Sequence, residues 1–173
     1  MTLIKINDYA SKRKWMNKFL LDYHQGNENV WNYPVKPIDS YFVGYFGHRE
    51  IGYISIRDLH DEFHVINHDG KVLKCAFVEP NRRSRGYLKQ MIRIALEKHD
   101  VKMIEIERAT FEQNRSYYAD LGLTEFGSKP DETLGYCYSA EFGLALHNVS
   151  ENIFPKASND NARKNALRYR FAA

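Results

Sequence analysis

The spacing of hydrophobic positions changes several times along this chain, and each change marks an element. Leu3-Ile4-Lys5-Ile6 predicts a short strand. Asp8 then precedes Trp15, Met16, Phe19, Leu20 and Tyr23, which share one face of a helix that the aspartate can cap and that ends near Gln25-Gly26-Asn27. Tyr41 to Phe46 and Ile51 to Arg57, separated by Gly47-His48-Arg49-Glu50, predict a hairpin. Glu62 to Ile66 reads as a further extended segment, passing through His68-Asp69-Gly70 into Val72 to Val78. That last run is rich in β-branched and aromatic residues and stops at Pro80, which cannot donate to a sheet ladder. The period then becomes helical: Leu88, Met91, Ile92, Ala95, Leu96 and His99 fall on one face, with Lys89, Gln90, Arg93, Glu97 and Lys98 largely opposite. Met103 to Glu107 predicts a strand and Asn114 to Asp120 a short helix. Leu123 to Phe126 and Leu134 to Ser139 predict a closing antiparallel pair, with Gly127 to Thr133 between them. This alternation defines an α/β chain with a mixed sheet.

The joint between the strand ending at Val78 and the helix after it carries the chemistry. Arg82, Arg83 and Arg85 crowd a turn that opens into the helix near Gly86. The first N–H groups of a helix lack partners within it and attract anions, arginine forks onto phosphate oxygens, and glycine allows close approach to the backbone. Such a joint is a phosphate cradle, or else an exposed basic loop. Neither Gly-x-x-x-x-Gly-Lys-Ser/Thr nor Gly-x-Gly-x-x-Gly is present, so the usual loops for nucleoside triphosphates and dinucleotides are absent.

Two segments resemble the GNAT superfamily of acyl-CoA-dependent N-acetyltransferases. Arg83-Ser84-Arg85-Gly86-Tyr87-Leu88, preceded by Val78-Glu79-Pro80, is similar to the signature turn Arg/Gln-x-x-Gly-x-Gly/Ala, with Leu88 in place of the small sixth residue. Asn114-Arg115-Ser116-Tyr117-Tyr118-Ala119-Asp120-Leu121-Gly122-Leu123 looks like the downstream Asn…Tyr-x-x-Leu-Gly-Phe segment, with Leu123 replacing phenylalanine. Order and spacing agree over Tyr41 to Tyr138. The resemblance implies a mixed, mostly antiparallel central sheet flanked by helices, in which the strands ending at Val78 and Glu107 splay to admit the pantetheine arm. It implies acetyl-CoA as acyl donor, with no metal. The turn from Arg83 to Leu88 would bind the coenzyme's phosphates. Phe77 and Val78 would lie against the thioester carbonyl, Asn114 would help hold the arm, and Tyr118 would protonate the departing thiolate. Glu79 and Glu107, both at strand ends, are equal candidates for the base.

Composition narrows the class. The chain's 173 residues, 43% hydrophobic and 14% aromatic, suffice for one substantial core. A net charge of +3 is too small to indicate nucleic-acid binding by itself. No apolar stretch is long enough to span a bilayer, and Met1-Thr2-Leu3-Ile4-Lys5 lacks the order of a secretory signal. Cys75 and Cys137, without Cys-x-x-Cys spacing, suit a reducing compartment, so cytoplasm is the expected location, or a host cell or virus particle for a viral chain. His60, His64 and His68 recur every fourth residue, but within a strand they would not converge on a metal.

Trp31 and Tyr33, with Tyr45 and Tyr53, would suit a small amine or a lysine stem as acceptor, on a small molecule or a protein, although such rings also serve as core. Domain organisation is read as residues 1–142, an acyltransferase-like unit, and 143–173, an extension. The extension keeps Ile153, Phe154, Leu167, Tyr169 and Phe171 among basic residues and is expected to dock on a neighbouring subunit or another component of a larger assembly, such as a virus particle. Two functions remain open at this stage: direct acetyl transfer to an amine within a ternary complex, or a domain of the same fold acting as a binding or structural component with weak or no catalysis.

Overall fold

A computed structural model of the chain describes residues 1–23, 36–63, 69–128 and 133–149. Its strands are β1 (Thr2–Ile6), β2 (Ser40–Phe46), β3 (Arg49–Asp58), β4 (Lys71–Val78), β5 (Val101–Glu107), β6 (Glu125–Gly127) and β7 (Leu134–Tyr138). Its helices are α1 (Tyr9–Tyr23), α2 (Leu59–Phe63), α3 (Tyr87–Lys98), α4 (Arg108–Gln113), α5 (Arg115–Ala119) and α6 (Ala140–Val149). The strands form one sheet in the order β1-β2-β3-β4-β5-β7-β6, antiparallel throughout except for β4 against β5. This is the mixed, mostly antiparallel sheet flanked by helices expected from the sequence.

Alternation along the strands divides the core. On one face, Ile54, Ile56, Leu73, Val78 and Ile104 pack with Met91, Ile92 and Ala95 of α3, Phe111 of α4 and Tyr118 of α5. On the opposite face, Tyr53 and Phe77 pack with Trp15, Met16 and Leu20 of α1. Beside them, Val72, Met103 and Tyr138 pack with Leu59 and Phe63 of α2 and Phe142 and Leu146 of α6. Asp8 caps α1 as expected, accepting a hydrogen bond from the Ser11 N–H at 2.7 Å.

The strand expected from Glu62 is corrected. Leu59–Phe63 is a helical turn whose two ends, four residues apart, stack one turn above the other and bury in one cluster with Val72 and Met103; along a strand the same pair would share a face but lie roughly 13 Å apart. Residues 64–68, with His64 and His68, lie outside the described residues, as do Trp31 and Tyr33 and the end expected for α1. Besides α2, two further helices were not foreseen. α4 precedes the expected Asn114 helix, and α6 opens on Ser139, whose Oγ accepts the Phe142 N–H at 3.1 Å. The boundary expected between residues 142 and 143 falls inside α6, and residues beyond 149 lie outside the described set. No helix among the described residues is long and apolar enough to cross a membrane.

Candidate functional site

The parallel ladder between β4 and β5 is short. It runs Lys71↔Val101, Val72↔Met103, Leu73↔Ile104 and stops. Beyond it, β4 pairs only with β3, as far as Gly52↔Val78, and β5 only with β7, as far as Glu107↔Leu134. The two strands therefore fork, and their facing edges carry backbone N–H and C=O groups that a bound ligand could pair. A bulge sits at the fork: Ile56 opposes Leu73 and Ser55 opposes Cys75, so Lys74 has no partner across the ladder. Bulges bend the strand that carries them and increase its twist, which turns β4 away from β5.

The arginine-rich joint follows directly. Pro80–Arg82 forms one 3-10 turn, closed by Arg82 N–H donating to Glu79 O at 2.8 Å. Ser84 and Gly86 then take left-handed backbone conformations, at φ 62° and 73°, and Gly86 becomes the N-cap of α3. Glycine accepts that geometry without strain, and a Cβ there would meet nothing within 4 Å, so the surface over the helix start is open. No side chain caps α3, which leaves its first N–H groups for an anion. Left-handed residues in a turn also gather N–H groups into an anion-binding concavity.

A cleft of about 500 Å³ joins fork and cradle, within the range that holds a cofactor arm. Of the residues expected there, Phe77, Val78, Arg83, Ser84, Gly86, Tyr87 and Leu88 line it. Leu88 is 37% exposed on the cleft wall, so it does not turn into the core. Arg85 is exposed and lies outside the lining. Asn114, also outside it, is exposed and spends its amide N–H on Thr110 O at 2.8 Å. Glu79 is held by the Lys18 ammonium, and Glu107 is exposed at the end of β5; neither lines the cleft.

Tyr118 packs in the core against Phe111, with ring centroids 5.7 Å apart, and burial pushes its phenol well above the ordinary value. Its position is set by the end of α5. The Gly122 N–H donates to Ala119 O at 2.8 Å and the Leu123 N–H to Tyr118 O at 2.9 Å, the two bonds of a Schellman motif. That motif brings Leu123 against Tyr118 in the same apolar cluster, which gives the leucine at this position a packing role.

Several cleft residues were not foreseen. Tyr117, beside Tyr118 on α5, faces the cleft, with the Lys89 ammonium 5.6 Å from its ring centroid. Its hydroxyl is buried and makes no hydrogen bond among the described residues, and the same holds for Nε of Arg82, another lining residue. Asn17 Oδ1 and Tyr41 Oη are unpaired among the described residues as well, outside the cleft; the two in the cleft are polar atoms that a ligand could satisfy. Arg83, by contrast, is already engaged. Its Nε donates to Val78 O at 3.1 Å, its Nη2 meets Asp22 Oδ2 at 2.5 Å, and its guanidinium lies 5.7 Å from the Phe77 ring centroid. The pairing of α1 with the turn through Asp22 leaves no periodic signal in the sequence; the two adjacent tyrosines were the only hint of Tyr117.

The opposite face of the fork is polar. Lys74 bridges Glu62 of α2, at 2.6 Å, and Glu105 of β5. Cys75 hydrogen-bonds the Tyr53 hydroxyl at 3.1 Å, and burial pushes its thiol up to about 12, so it remains protonated and is no acyl-accepting nucleophile at neutral pH. Among the described residues, no three His, Cys, Asp or Glu side chains are placed to hold a metal ion.

The forked sheet with a glycine-opened helix beyond it is the fold of the GNAT acetyltransferases. Among solved structures, Tetrahymena GCN5 superposes with a TM-score of 0.51 at 14% identity, covering 80% of this chain and 96% of its own. A GNAT-family acetyltransferase from Bacillus cereus gives 0.51 at 16%, covering 79% and 92%. An acetyltransferase from Thermus thermophilus gives 0.51 at 15%, covering 79% and 96%. No family model matches the sequence, and no curated protein matches it.

Proposed function

We propose that the chain is an acyl-CoA-dependent N-acetyltransferase that passes acetyl from acetyl-CoA directly to an amine. The observation that carries this reading is the cleft running from the unpaired edge of β4 to the uncapped start of α3. One end offers backbone groups to an amide-bearing arm, and the other offers N–H groups and arginines to a pyrophosphate. The acetyltransferases of Bacillus cereus and Thermus thermophilus share this fold and support the same chemistry here.

In this reading β4 near Phe77 and Val78 lies along the thioester, and the helix start binds the phosphates. Asn114 sits at the α4–α5 junction outside the cleft lining, its amide N–H held by Thr110 O, and would reach the arm only from the cleft's margin. Tyr118, kept protonated by burial, packs in the core next to the cleft residue Tyr117 rather than in the lining itself, and from there would supply the proton for the departing thiolate. Glu79 and Glu107 serve less well as bases, since one is paired with Lys18 and the other is exposed. Both buried thiols stay protonated, which favours attack in a ternary complex over an acyl-enzyme.

Calorimetric titration with acetyl-CoA tests the reading, followed by thiol release with a panel of amines. Saturable binding and acetylated product are expected, with Tyr118→Phe slowing turnover by roughly 100-fold. Absence of binding overturns it.

A further inference from the structure

Helix α1 walls one side of the cleft, and ion pairs pin it there. Lys14, Lys18 and Asp22 recur every fourth residue along one side of the helix and pair with three separate elements. Lys14 meets Glu50 of β3 at 2.8 Å, Lys18 meets Glu79 just beyond β4, and Asp22 meets Arg83 of the turn. Among the described residues, Phe19 and Asp22 are what α1 contributes to the cleft lining. Asp22 belongs to the arginine end through its ion pair. Phe19 belongs to the other end, edge-on to Phe77 of β4, with ring centroids 6.1 Å apart and planes at 77°.

Phe19 has nowhere to retreat. Its ring also meets Tyr53 at 6.5 Å, and Trp15 lies 6.1 Å from Tyr53 and 6.5 Å from Phe77. Trp15 and Tyr53 are fully buried, so the space behind Phe19 is filled by rings at the density of a core. Phe19 itself is only half-buried, although Trp15, Met16 and Leu20 of the same apolar stripe are buried. Its remaining surface lies on the cleft.

The cleft therefore has two chemically different ends. Arg82, Arg83, Ser84 and Gly86 form one, and Phe19, Ala76 and Phe77 form the other, which is apolar. In the acetyltransferase reading above, on which this inference rests, the thioester lies at Phe77 and Val78. The carbons beyond its carbonyl then meet the Phe19–Phe77 ring pair. An acetyl group ends after one methyl, whereas each further methylene needs volume that the Phe19 ring occupies, and a packed core yields such volume only with strain.

We infer that Phe19 sets the length of the acyl group that the cleft accepts. Its ring closes the apolar end of the cleft, holds the donor to short acyl groups such as acetyl, and excludes straight chains of four carbons or more. Phe19 determines specificity and takes no part in proton transfer. The ion pairs of Lys14, Lys18 and Asp22 keep the ring at a fixed distance from β4, so the limit is built into the position of α1.

Calorimetric titration of the full chain with coenzyme A, acetyl-CoA, butyryl-CoA and hexanoyl-CoA reads this limit without an acceptor. The parent should bind acetyl-CoA roughly ten-fold or more tightly than butyryl-CoA, the scale on which an apolar pocket resolves one or two methylenes. Phe19→Ala should remove that preference, each methylene that fills the vacated space tightening binding by about four-fold. Phe19→Leu disturbs the core less and should fall between the two, which keeps the test open if the alanine variant fails to fold. Coenzyme A itself, without an acyl group, should bind the parent and both variants within about two-fold, whereas a general loosening of the cleft would weaken it too. Equal affinity of the parent for acetyl-CoA and butyryl-CoA, or the parent's preference retained in both variants, or a loss of coenzyme A affinity matching that of the acyl-CoAs, overturns the inference. Failure of the parent chain to bind either coenzyme A or acetyl-CoA would instead remove the acetyltransferase reading.

Discussion

Lys74 and Glu105 form an ion pair at the point where β4 and β5 part. Lys74 also holds Glu62, and the two glutamates respond in opposite directions. Burial dominates at Glu105 and raises its carboxyl. At Glu62 burial alone would do the same, but the Lys74 and Tyr136 hydrogen bonds and the Lys74 and Arg57 charges hold the group below its ordinary 4.5. A carboxyl depressed in the folded state adds stability above its unfolded value, and that stability disappears as pH falls through the folded value. Urea unfolding should therefore show stability falling from about pH 4.5 downward. Glu62→Gln should flatten that acid limb; an identical limb would mean that other carboxyls carry it.

Tyr117 is expected to separate stability from binding. Removing its unsatisfied hydroxyl in Tyr117→Phe should raise the unliganded protein's stability by about 1 kcal/mol. The same change should weaken coenzyme A binding several-fold, since the ligand loses a hydrogen-bond partner. Thermal unfolding and calorimetry read the two effects, and movement of both in the same direction would contradict the assignment of this hydroxyl to the cleft.

Asp22 holds the guanidinium of Arg83, which in the acetyltransferase reading would bind a phosphate. Exposed pairs of this kind are worth at most about 1 kcal/mol. Asp22→Asn should therefore tighten coenzyme A by roughly two- to five-fold, more clearly at low salt. Weaker binding in the variant would show instead that the aspartate holds the arginine in its binding pose.

Gly52 packs directly against the backbone of Phe77 and Val78, two residues of the cleft wall. A Cβ built there would lie 2.0 Å from Phe77 O and 2.9 Å from Val78 Cα, both backbone atoms that cannot step aside. Gly52→Ala should destabilise the fold by about 3 kcal/mol or more and displace the cleft edge of β4. Denaturant unfolding with a coenzyme A titration checks both; a stable variant with unchanged affinity would show that β3 and β4 can separate without cost.

Much of this was legible in the sequence because local chemistry and period agreed. The Asp8 cap, the Gly47-His48 hairpin, and the run from Val72 through Gly86 into α3 each carry their own signal. What escaped depends on contacts distant in sequence. Leu59 and Phe63 fit a strand as easily as a helix until Val72 and Met103 are placed beneath them. α6 had a cap at Ser139 and an apolar pair in Phe142 and Leu146, but its residues from Gly143 onward were read as the start of a tail. The pairing of Lys74 with residues 12 before and 31 after it has no local trace at all.

The bulge at Lys74 also decides parity. Counting by twos from Val72 would send Cys75 and Phe77 toward α3, and Ala76 and Val78 away from it. The extra residue reverses this: Val78 and Ala76 join the α3 cluster, while Phe77 and Cys75 join α1. One unpaired residue thus assigns every later side chain of β4 to its side of the sheet. The side of the sheet that each of these residues faces is set by an odd number in the chain's count, which no substitution at Lys74 can undo and a single deletion would.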